Sequence, residues 1–190
     1  MNSTIQHIVW VIPGFADGVE DDVCIPAALL LLEKFAEMEG VIISVIAIHY
    51  PYKELPYELF GFKVYPLNGA NKRFGRNKLE QKFQHTFYKI HQNNTVNLLH
   101  SFWLNDTACF ADQISISENI PHICTLMGQD ARLGNNKVAK IKSKNTKYLT
   151  VSSFHQNTFF DNYQITSKVI HLGTEDLVSA SEKTIDLICV

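Results

Sequence analysis

The sequence predicts an open, doubly wound α/β domain, Rossmann-like, in which helices cover both faces of a mostly parallel sheet. Short apolar runs rich in β-branched residues alternate with longer segments whose apolar residues recur every three to four positions. The connections between successive strands are long enough for the crossover helices that parallel strands require. The 190 residues are 46 % hydrophobic and 19 % charged, values typical of one globular domain with its own core.

The first fifty residues predict one β-α-β unit. Its elements are a strand over 5–12, a helix that begins near residue 24 and ends at Gly40, and a strand over 41–48. Pro13 and Gly14 close the first strand, and Pro26 is tolerated because it falls in the first turn of the helix. This unit sets the parallel character of the sheet.

The rest of the chain repeats the alternation after an irregular region over 51–77. The predicted elements are a short strand over 62–67, a helix over 78–92, a strand over 96–99, a helix over 103–115, a strand over 122–126, a short helix over 135–141, a strand over 148–151, a helix from Ser152 or Ser153 to about Tyr163, and a last strand over 168–172.

Composition excludes several classes of protein. With 17 basic and 19 acidic residues the net charge is −2, so no broad positive field favours nucleic acid. Four cysteines lie far apart with no CxxC pair, and we expect reduced thiols rather than a disulfide framework or a zinc site: Cys24, Cys109, Cys124 and Cys189. The amino end has no signal peptide and no spanning helix, so we expect a soluble, cytoplasmic protein.

In doubly wound sheets ligands bind at the carboxyl ends of the strands, which here selects residues 13–22, 100–106, 127–132 and 152–155. The first of these loops lacks both GxGxxG and the P-loop pattern, but two glycines before a helix could leave N–H groups free for an anion. Four acids beside it would repel a dianion unless they point elsewhere: Asp17, Glu20, Asp21 and Asp22. A plain turn with favourable acids in a first helical turn explains the same pattern.

The second and third loops carry further polar groups. His100 is expected at the very end of a strand, where it could be a base, a donor to a sugar hydroxyl, or a hydrogen-bonded surface histidine. Asp130 is expected in an exposed turn, where it could bind a polyol or cap the next turn. Ser153 and His155 lack a GxSxG elbow, so a hydrolase triad is not expected. No DxD, HExxH or carboxylate cluster has metal-ligand spacing.

Taken in order, these loops resemble the amino-terminal domain of GT-B glycosyltransferases, in particular the large retaining family four. PGFADGVED is similar to the family's P..GG.E loop, LLHSFWL to its strand ending in His, and PHICTLMGQD to its PhhhTxHGxD segment. TVSSFHQN and KVIHLGTED are similar to its "VS" strand end and its KVIxxGVD turn. Two family histidines are replaced by Phe102 and Met127, so His100 is left as the only candidate of that type.

The resemblance implies transfer of a sugar from a UDP- or GDP-linked donor to a saccharide or lipid-linked acceptor with retained configuration, with no cofactor and no metal. It implies catalytic roles for His100 and Asp130. It implies that the donor diphosphate lies on the first loop: Gly14, Phe15, Ala16, Asp17 and Gly18. It implies acceptor or sugar contacts from the following residues: Glu20, Trp103, Asn105, Gly128 and Gln129.

The resemblance also implies a division of the chain. Residues 1–176 correspond to the acceptor-side domain, and residues 177–190 to a linker and the start of a truncated donor-binding domain. We therefore expect this chain alone to be inactive without its missing carboxy-terminal domain. Two alternatives remain open at this point. One is a non-catalytic module that binds a glycan or a partner, and the other is a nucleotide-sugar epimerase.

Two segments of the chain are rich in basic residues, 72–82 and 137–147. We expect them to be solvated faces, or contacts with an anionic acceptor or with the inner face of a membrane.

Overall fold

The computed structural model describes residues 5–21, 24–72 and 75–173. Eight strands form one sheet in the order β3-β4-β2-β1-β5-β6-β7-β8. The strands are β1 (Gln6–Gly14), β2 (Val41–Tyr50), β3 (Tyr57–Leu59), β4 (Phe62–Pro66), β5 (Leu98–Phe102), β6 (His122–Leu126), β7 (Thr146–Thr150) and β8 (Lys168–Val169). Every pairing is parallel except the β3–β4 hairpin. Asp22, Cys189 and the predicted 177–190 linker lie outside the described residues.

Four α-helices connect the strands: α1 (Pro26–Ala36), α2 (Arg76–Asn93), α3 (Asp106–Ser117) and α4 (Ser153–Tyr163). Alternate residues of a strand point to opposite faces. On one face of β1, Trp10 and Ile12 pack in the cluster that holds Leu32 of α1. On the other face, Val9 and Val11 pack in the cluster that holds residues of α2 and α3. Helices therefore cover both faces, as the sequence predicts.

The winding reverses at β1. The β1-α1-β2 crossover leads toward one edge of the sheet, whereas α2, α3 and α4 lead toward the other edge. Phe159 of α4 packs with Cys124 and Leu126 of β6, on the side of the sheet where α3 lies. The switch point of the topology is the gap between β1 and β5, where connections diverge and ligands bind in such sheets.

Several predicted boundaries are wrong. The region over 51–77 contains the extra strand β3, which pairs with β4 through only three residues. The strand predicted over 96–99 is β5 at Leu98–Phe102, because its last residues find ladder partners in β1 and β6. The short helix predicted over 135–141 is one 3-10 turn at Val138–Lys140, and a second such turn lies at Gln129–Ala131.

Among the described residues three cysteines have free thiols. Cys109 and Cys124 are buried, whereas Cys24 is only half-buried beside the loop that follows β1. Burial raises the pKa of the Cys24 thiol, and Asp21 adds to the shift. The described part of the chain contains no helix that is both long and apolar enough to cross a bilayer.

Candidate functional site at the carboxyl edge of the sheet

Three loops meet at the carboxyl edge of the sheet beside the switch point. They follow β1, β5 and β6. Phe15 and Ala16 from the first loop belong to one apolar cluster with Trp103 from the second and Met127 from the third. The sequence places these residues far apart, and the parallel strands bring them together because their carboxyl ends share one edge.

The loop after β1 is closed by the carboxylate of Asp21. Its Oδ2 accepts hydrogen bonds from the backbone N–H of Asp17 at 2.9 Å and from the hydroxyl of Tyr50 at 3.0 Å. Its Oδ1 accepts from the N–H of Cys24 at 3.2 Å. The hydrogen bond to Asp21 raises the pKa of Tyr50 to about 12. Asp21 therefore ties its own loop to the start of α1 and to the end of β2.

Much of the predicted diphosphate loop is turned inward. Phe15 and Ala16 are fully buried. The N–H of Phe15 donates to the carbonyl of Tyr50, and the N–H of Asp17 is held by Asp21. Within the described ranges the N–H of Gly18 has no acceptor, and that residue is partly exposed. The donor role of the loop stays a prediction, and Gly18 is the position where it presents a backbone donor at the surface.

Charge at this loop is partly balanced by Lys53, from the connection after β2. Its ammonium group forms an ion pair with the carboxylate of Asp17 and lies 4.9 Å from the ring centroid of Tyr57. Tyr57 in turn donates its hydroxyl to the carbonyl of Ala16 at 2.5 Å. Glu20 is exposed beyond this cluster and free to face solvent or a ligand.

Asp130 joins the other two loops. Its carboxylate accepts hydrogen bonds from the N–H groups of Leu104 at 2.8 Å, Gly128 at 2.8 Å and Met127 at 3.1 Å. Asn135 adds a second connection, since its amide donates to the carbonyls of Leu104 and Asp130. The expectation of an exposed turn is wrong because Asp130 is only 8 % exposed. A carboxylate that satisfies three backbone donors is stable at that depth.

The loop after β5 has an unusual backbone. Trp103 has a φ of 65°, in the left-handed region where an aromatic residue is a conformational outlier. Its N–H donates to the carbonyl of Thr125 at 2.9 Å, and its own carbonyl accepts from the Thr107 hydroxyl at 3.0 Å. Asn105 is the N-cap of α3 through a bond from the N–H of Thr107 at 2.8 Å. These contacts hold the backbone of Trp103 in place at the carboxyl edge of the sheet, where the residue is half-buried.

The loop after β6 contains Gly128 and Gln129. Gly128 has a φ of 144°, a conformation that favours glycine. A Cβ added there would lie 3.4 Å from the ring of His155 in the first turn of α4. Gln129 begins the 3-10 turn and is exposed. Backbone of the third loop thus meets the start of α4.

His100 lies inside β5, two residues before its end, so its expected place at the strand tip is wrong. Its Nε2 is 2.8 Å from the Thr125 hydroxyl, and its ring stacks on Phe102 with centroids 4.3 Å apart. Trp10 meets the same ring edge-on. Burial lowers the pKa of His100 to about 4, so the imidazole is neutral at physiological pH.

Sequence reasoning set His155 aside, although the structure brings it to the third loop. Its Nδ1 is buried and has no hydrogen-bond partner within the described ranges. The signal in the sequence was its place in the first turn of a helix that follows a strand, with Ser152 as N-cap. Among the described residues no three His, Cys, Asp or Glu side chains are grouped as metal ligands would be.

No protein-family model matches the sequence, and no curated protein matches it. Solved structures do share its fold. Sucrose-phosphate synthase from Thermosynechococcus elongatus is 12 % identical with a TM-score of 0.58, over 89 % of this chain and 48 % of that one. A second structure of that synthase is 13 % identical with a TM-score of 0.60, over 90 % of this chain and 91 % of its own.

UDP-GlcNAc 2-epimerase from Neisseria meningitidis, solved with UDP-GlcNAc bound, is also similar. It is 15 % identical with a TM-score of 0.55, over 87 % of this chain and 45 % of that one. This chain spans about half the length of the longer structures that it matches. The described domain has the Rossmann-like fold of GT-B proteins, and the predicted fold class is confirmed.

Proposed function

We propose that this chain is the acceptor-side domain of a retaining glycosyltransferase, which moves a sugar from a UDP- or GDP-linked donor to a hydroxyl of a saccharide or lipid-linked acceptor. One observation carries the proposal. The loops after β1, β5 and β6 converge at the switch point of a sheet whose fold is shared with sucrose-phosphate synthase. Ligands of doubly wound domains bind at that place.

The acceptor wall consists of groups suited to a sugar. Trp103 offers an aromatic surface to the apolar face of a pyranose ring, and it is held rigidly by its backbone contacts. The exposed side chains of Gln129 and Glu20 offer an amide and a carboxylate to hydroxyl groups. His100, neutral at physiological pH, contributes a hydrogen-bonding ring rather than a positive charge.

Asp130 has a positioning role in this proposal. Both of its oxygens already accept backbone N–H groups, so it fixes the loops that carry Trp103 and Gln129. Preorganised contacts of this kind lower the barrier because little reorganisation remains when the acceptor is bound. The residue thus acts through the geometry of its neighbours.

On the donor side, negative charge develops on the departing diphosphate while the sugar becomes oxocarbenium-like. Aimed N–H groups stabilise such charge. The N–H of Gly18 is a donor that the first loop presents at the surface, and the ion pair of Lys53 with Asp17 reduces the local repulsion. The proposal invokes no metal. It does require a second domain that supplies the remaining contacts to the nucleotide, so this chain alone should not turn over.

Tryptophan fluorescence tests the acceptor wall. The chain has two tryptophans, and Trp10 is fully buried, so a bound sugar changes the emission of Trp103 alone. We expect saturable quenching by an acceptor saccharide from a panel of mono- and oligosaccharides, and weak binding of UDP and GDP. Gln129→Ala should weaken the saccharide response about tenfold, as loss of a hydrogen bond to a bound ligand does. Leu133→Ala, at an exposed residue of the same connection, is the matched control.

An absence of quenching by every saccharide, or equal weakening in the control, would contradict the proposal. A second candidate is a nucleotide-sugar epimerase domain, favoured by the match to UDP-GlcNAc 2-epimerase. Conversion of a nucleotide sugar to its epimer in the absence of any acceptor, by a longer protein that contains this domain, would favour the epimerase. Saccharide binding without turnover in such a protein would favour a non-catalytic glycan-binding module.

A further inference from the structure

The first turn of α4 carries an aromatic ring and an imidazole at the carboxyl edge of the sheet. β7 ends at Thr150 and α4 begins at Ser153. Because β7 is parallel to β6, this turn lies at the same edge as the three converging loops. Phe154 and His155 are the second and third residues of the helix, and we call this pair the α4 subsite.

His155 meets the third loop at Gly128. A Cβ added to Gly128 would lie 3.4 Å from both Cε1 and Nε2 of the imidazole, and the φ of 144° at Gly128 is one that side chains rarely adopt. Glycine at this position therefore lets the ring lie directly against the backbone of the loop. The next residue, Gln129, is exposed, so the imidazole adjoins the amide that the acceptor wall offers to hydroxyl groups.

The environment of the imidazole decides which of its nitrogens carries the proton. Nδ1 is buried and has no hydrogen-bond partner within the described ranges, whereas Nε2 is not enclosed. A proton on Nδ1 would be a buried donor without an acceptor, which proteins avoid more strictly than a buried acceptor without a donor. The neutral ring therefore carries its proton on Nε2, and this atom is a hydrogen-bond donor beside Gly128.

Phe154 adds an apolar surface next to that donor. The residue is 74 % exposed, and its ring centroid lies 5.8 Å from that of His155. It belongs to none of the apolar clusters that the described residues form. One exposed aromatic residue is ordinary at a protein surface. An aromatic ring beside a hydrogen-bond donor is a combination that suits a sugar, because a pyranose has an apolar C–H face and a rim of hydroxyl groups.

We propose that the α4 subsite binds a second sugar ring of the acceptor, so that the acceptor is a disaccharide or a longer saccharide. Trp103 follows β5 and Phe154 follows β7, and these strands are separated only by β6, which places their ends about 10 Å apart. One pyranose cannot stack on both aromatic rings at that separation, whereas successive sugars of one chain can. Residues 127–131 and 152–156 include neither lysine nor arginine, which favours an uncharged sugar over a phosphate group. This inference rests on the proposed function, because it extends the wall that contains Trp103.

Fluorescence of the full 190-residue chain tests the second sugar. The emission of Trp103 is titrated with glucose and N-acetylglucosamine, and with the dimers maltose, cellobiose and N,N′-diacetylchitobiose. We expect at least one dimer to bind on the order of tenfold more tightly than its monosaccharide, because it gains an aromatic contact and a hydrogen bond. Phe154→Ala should weaken binding of that dimer about fivefold and leave the monosaccharide unaffected. Phe160→Ala, at a phenylalanine of the same helix that is 43 % exposed, is the matched control and should change neither.

A relocated tryptophan reports on the subsite directly. In the double variant Trp103→Phe with Phe154→Trp, the dimer should change the emission, because the new tryptophan lies in the subsite and Trp10 is fully buried. Trp103→Phe with Phe160→Trp should not respond. His155→Ala should weaken binding of the dimer about fivefold, whereas His155→Gln, which keeps an N–H donor, should retain most of the affinity.

Equal affinity for every dimer and its monosaccharide would overturn the second sugar and leave the wall at Trp103 standing, whereas an absence of quenching by every saccharide would overturn both. Equal losses in Phe154→Ala and Phe160→Ala would also contradict the α4 subsite. UDP and GDP provide one more arm. If they change the emission of the Phe154→Trp reporter and the dimers do not, the subsite holds a nucleotide and the proposal is wrong. Far-ultraviolet circular dichroism of each variant establishes that the fold is retained.

Discussion

Two carboxylates, Asp21 and Asp130, hold the two sides of the candidate cleft, and they do so differently. Asp130 accepts hydrogen bonds from backbone N–H groups alone and is buried. Asp21 accepts from two backbone N–H groups and from the hydroxyl of Tyr50, and it is only half-buried. Asp130 joins two loops that follow different strands, whereas the backbone donors to Asp21, Asp17 and Cys24, come from its own loop and the start of α1.

The difference indicates which side of the cleft is fixed. A buried carboxylate with three backbone donors is costly to disturb, because the N–H of Leu104 would remain buried without a partner and those of Met127 and Gly128 are partly buried. A half-buried carboxylate in a polar loop can exchange its partners for water at lower cost. The loops after β5 and β6 therefore form the more rigid wall of the candidate cleft and the loop after β1 the more adjustable one; in the proposed function these are the acceptor and the donor sides.

Asp130→Asn should give the largest effect. The amide nitrogen of Asn cannot accept a hydrogen bond, so at least one N–H among those of Leu104, Met127 and Gly128 loses its partner. We expect the free energy of unfolding to fall by about 3–4 kcal/mol, the cost of losing charged hydrogen bonds at a buried site. Urea denaturation followed by circular dichroism measures the loss.

Asp161→Asn is the matched control, because Asp161 is exposed on α4 and the change should cost less than about 0.5 kcal/mol. If Asp130→Asn cost under about 1 kcal/mol, the wall would not depend on this carboxylate and the contrast with Asp21 would disappear.

The role of Asp130 illustrates what sequence alone cannot show. The pattern MGQD predicts a turn with an acid in it, but one donor to that acid is Leu104, 26 positions away in the chain. Long-range backbone donors leave no local trace in a sequence, so the residue was expected to be exposed. His100 was misplaced for a similar reason, since the length of β5 depends on ladder partners in β1 and β6.

Local signals were sufficient elsewhere. The strand over 122–126 has the predicted bounds, because a β-branched apolar run is followed directly by a glycine-bearing turn. Ser152, one of the two residues predicted as a cap, is the N-cap of α4. The hairpin strand β3 was missed because three residues between a proline and a glycine carry too little periodicity to be recognised. The order of the loops around the edge followed from the β-α-β alternation.

Acid should give the next largest effect, through His122 at the start of β6, the strand that leads to the Asp130 loop. His122 of β6 is buried between Ser101 and Thr146, at 2.8 Å and 3.0 Å from their hydroxyls, and burial lowers its pKa to about 3. The unfolded chain takes up a proton on this residue near pH 6.5. The stabilisation is therefore complete above about pH 6.5 and is lost as the pH falls toward 3, with about 2–3 kcal/mol lost by about pH 4.5.

Urea unfolding from about pH 7 to 4.5 measures this slope. His122→Gln keeps a hydrogen-bonding side chain without the titration, so it should flatten the slope. His85→Gln, at an exposed histidine, should not change it. His100 and His7 contribute in the same direction, since burial lowers the pKa of each, so a slope remains in the variant. If the slope of stability against pH were unchanged in His122→Gln, acid would not destabilise the protein through this buried histidine.

Asp21→Asn should give the smallest effect on stability. Its clearest effect should be local, on the pKa of Tyr50. We expect a cost of about 1–2 kcal/mol in urea denaturation, because a half-buried neutral amide replaces one carboxylate. The pKa of Tyr50 should fall from about 12 toward its ordinary value near 10. In the native protein the stabilisation from the Tyr50–Asp21 hydrogen bond is fully present below about pH 10, the ordinary pKa of tyrosine. It is lost as the pH rises through the raised pKa of Tyr50 in the folded state. The ultraviolet absorbance of tyrosinate follows this titration, and Tyr50→Phe in each background isolates the contribution of Tyr50.

Glu20→Gln, which changes an exposed acid of the same loop, should leave the Tyr50 titration unchanged. If Tyr50 titrated identically in Asp21→Asn, the two carboxylates would not divide the cleft into a fixed and an adjustable side.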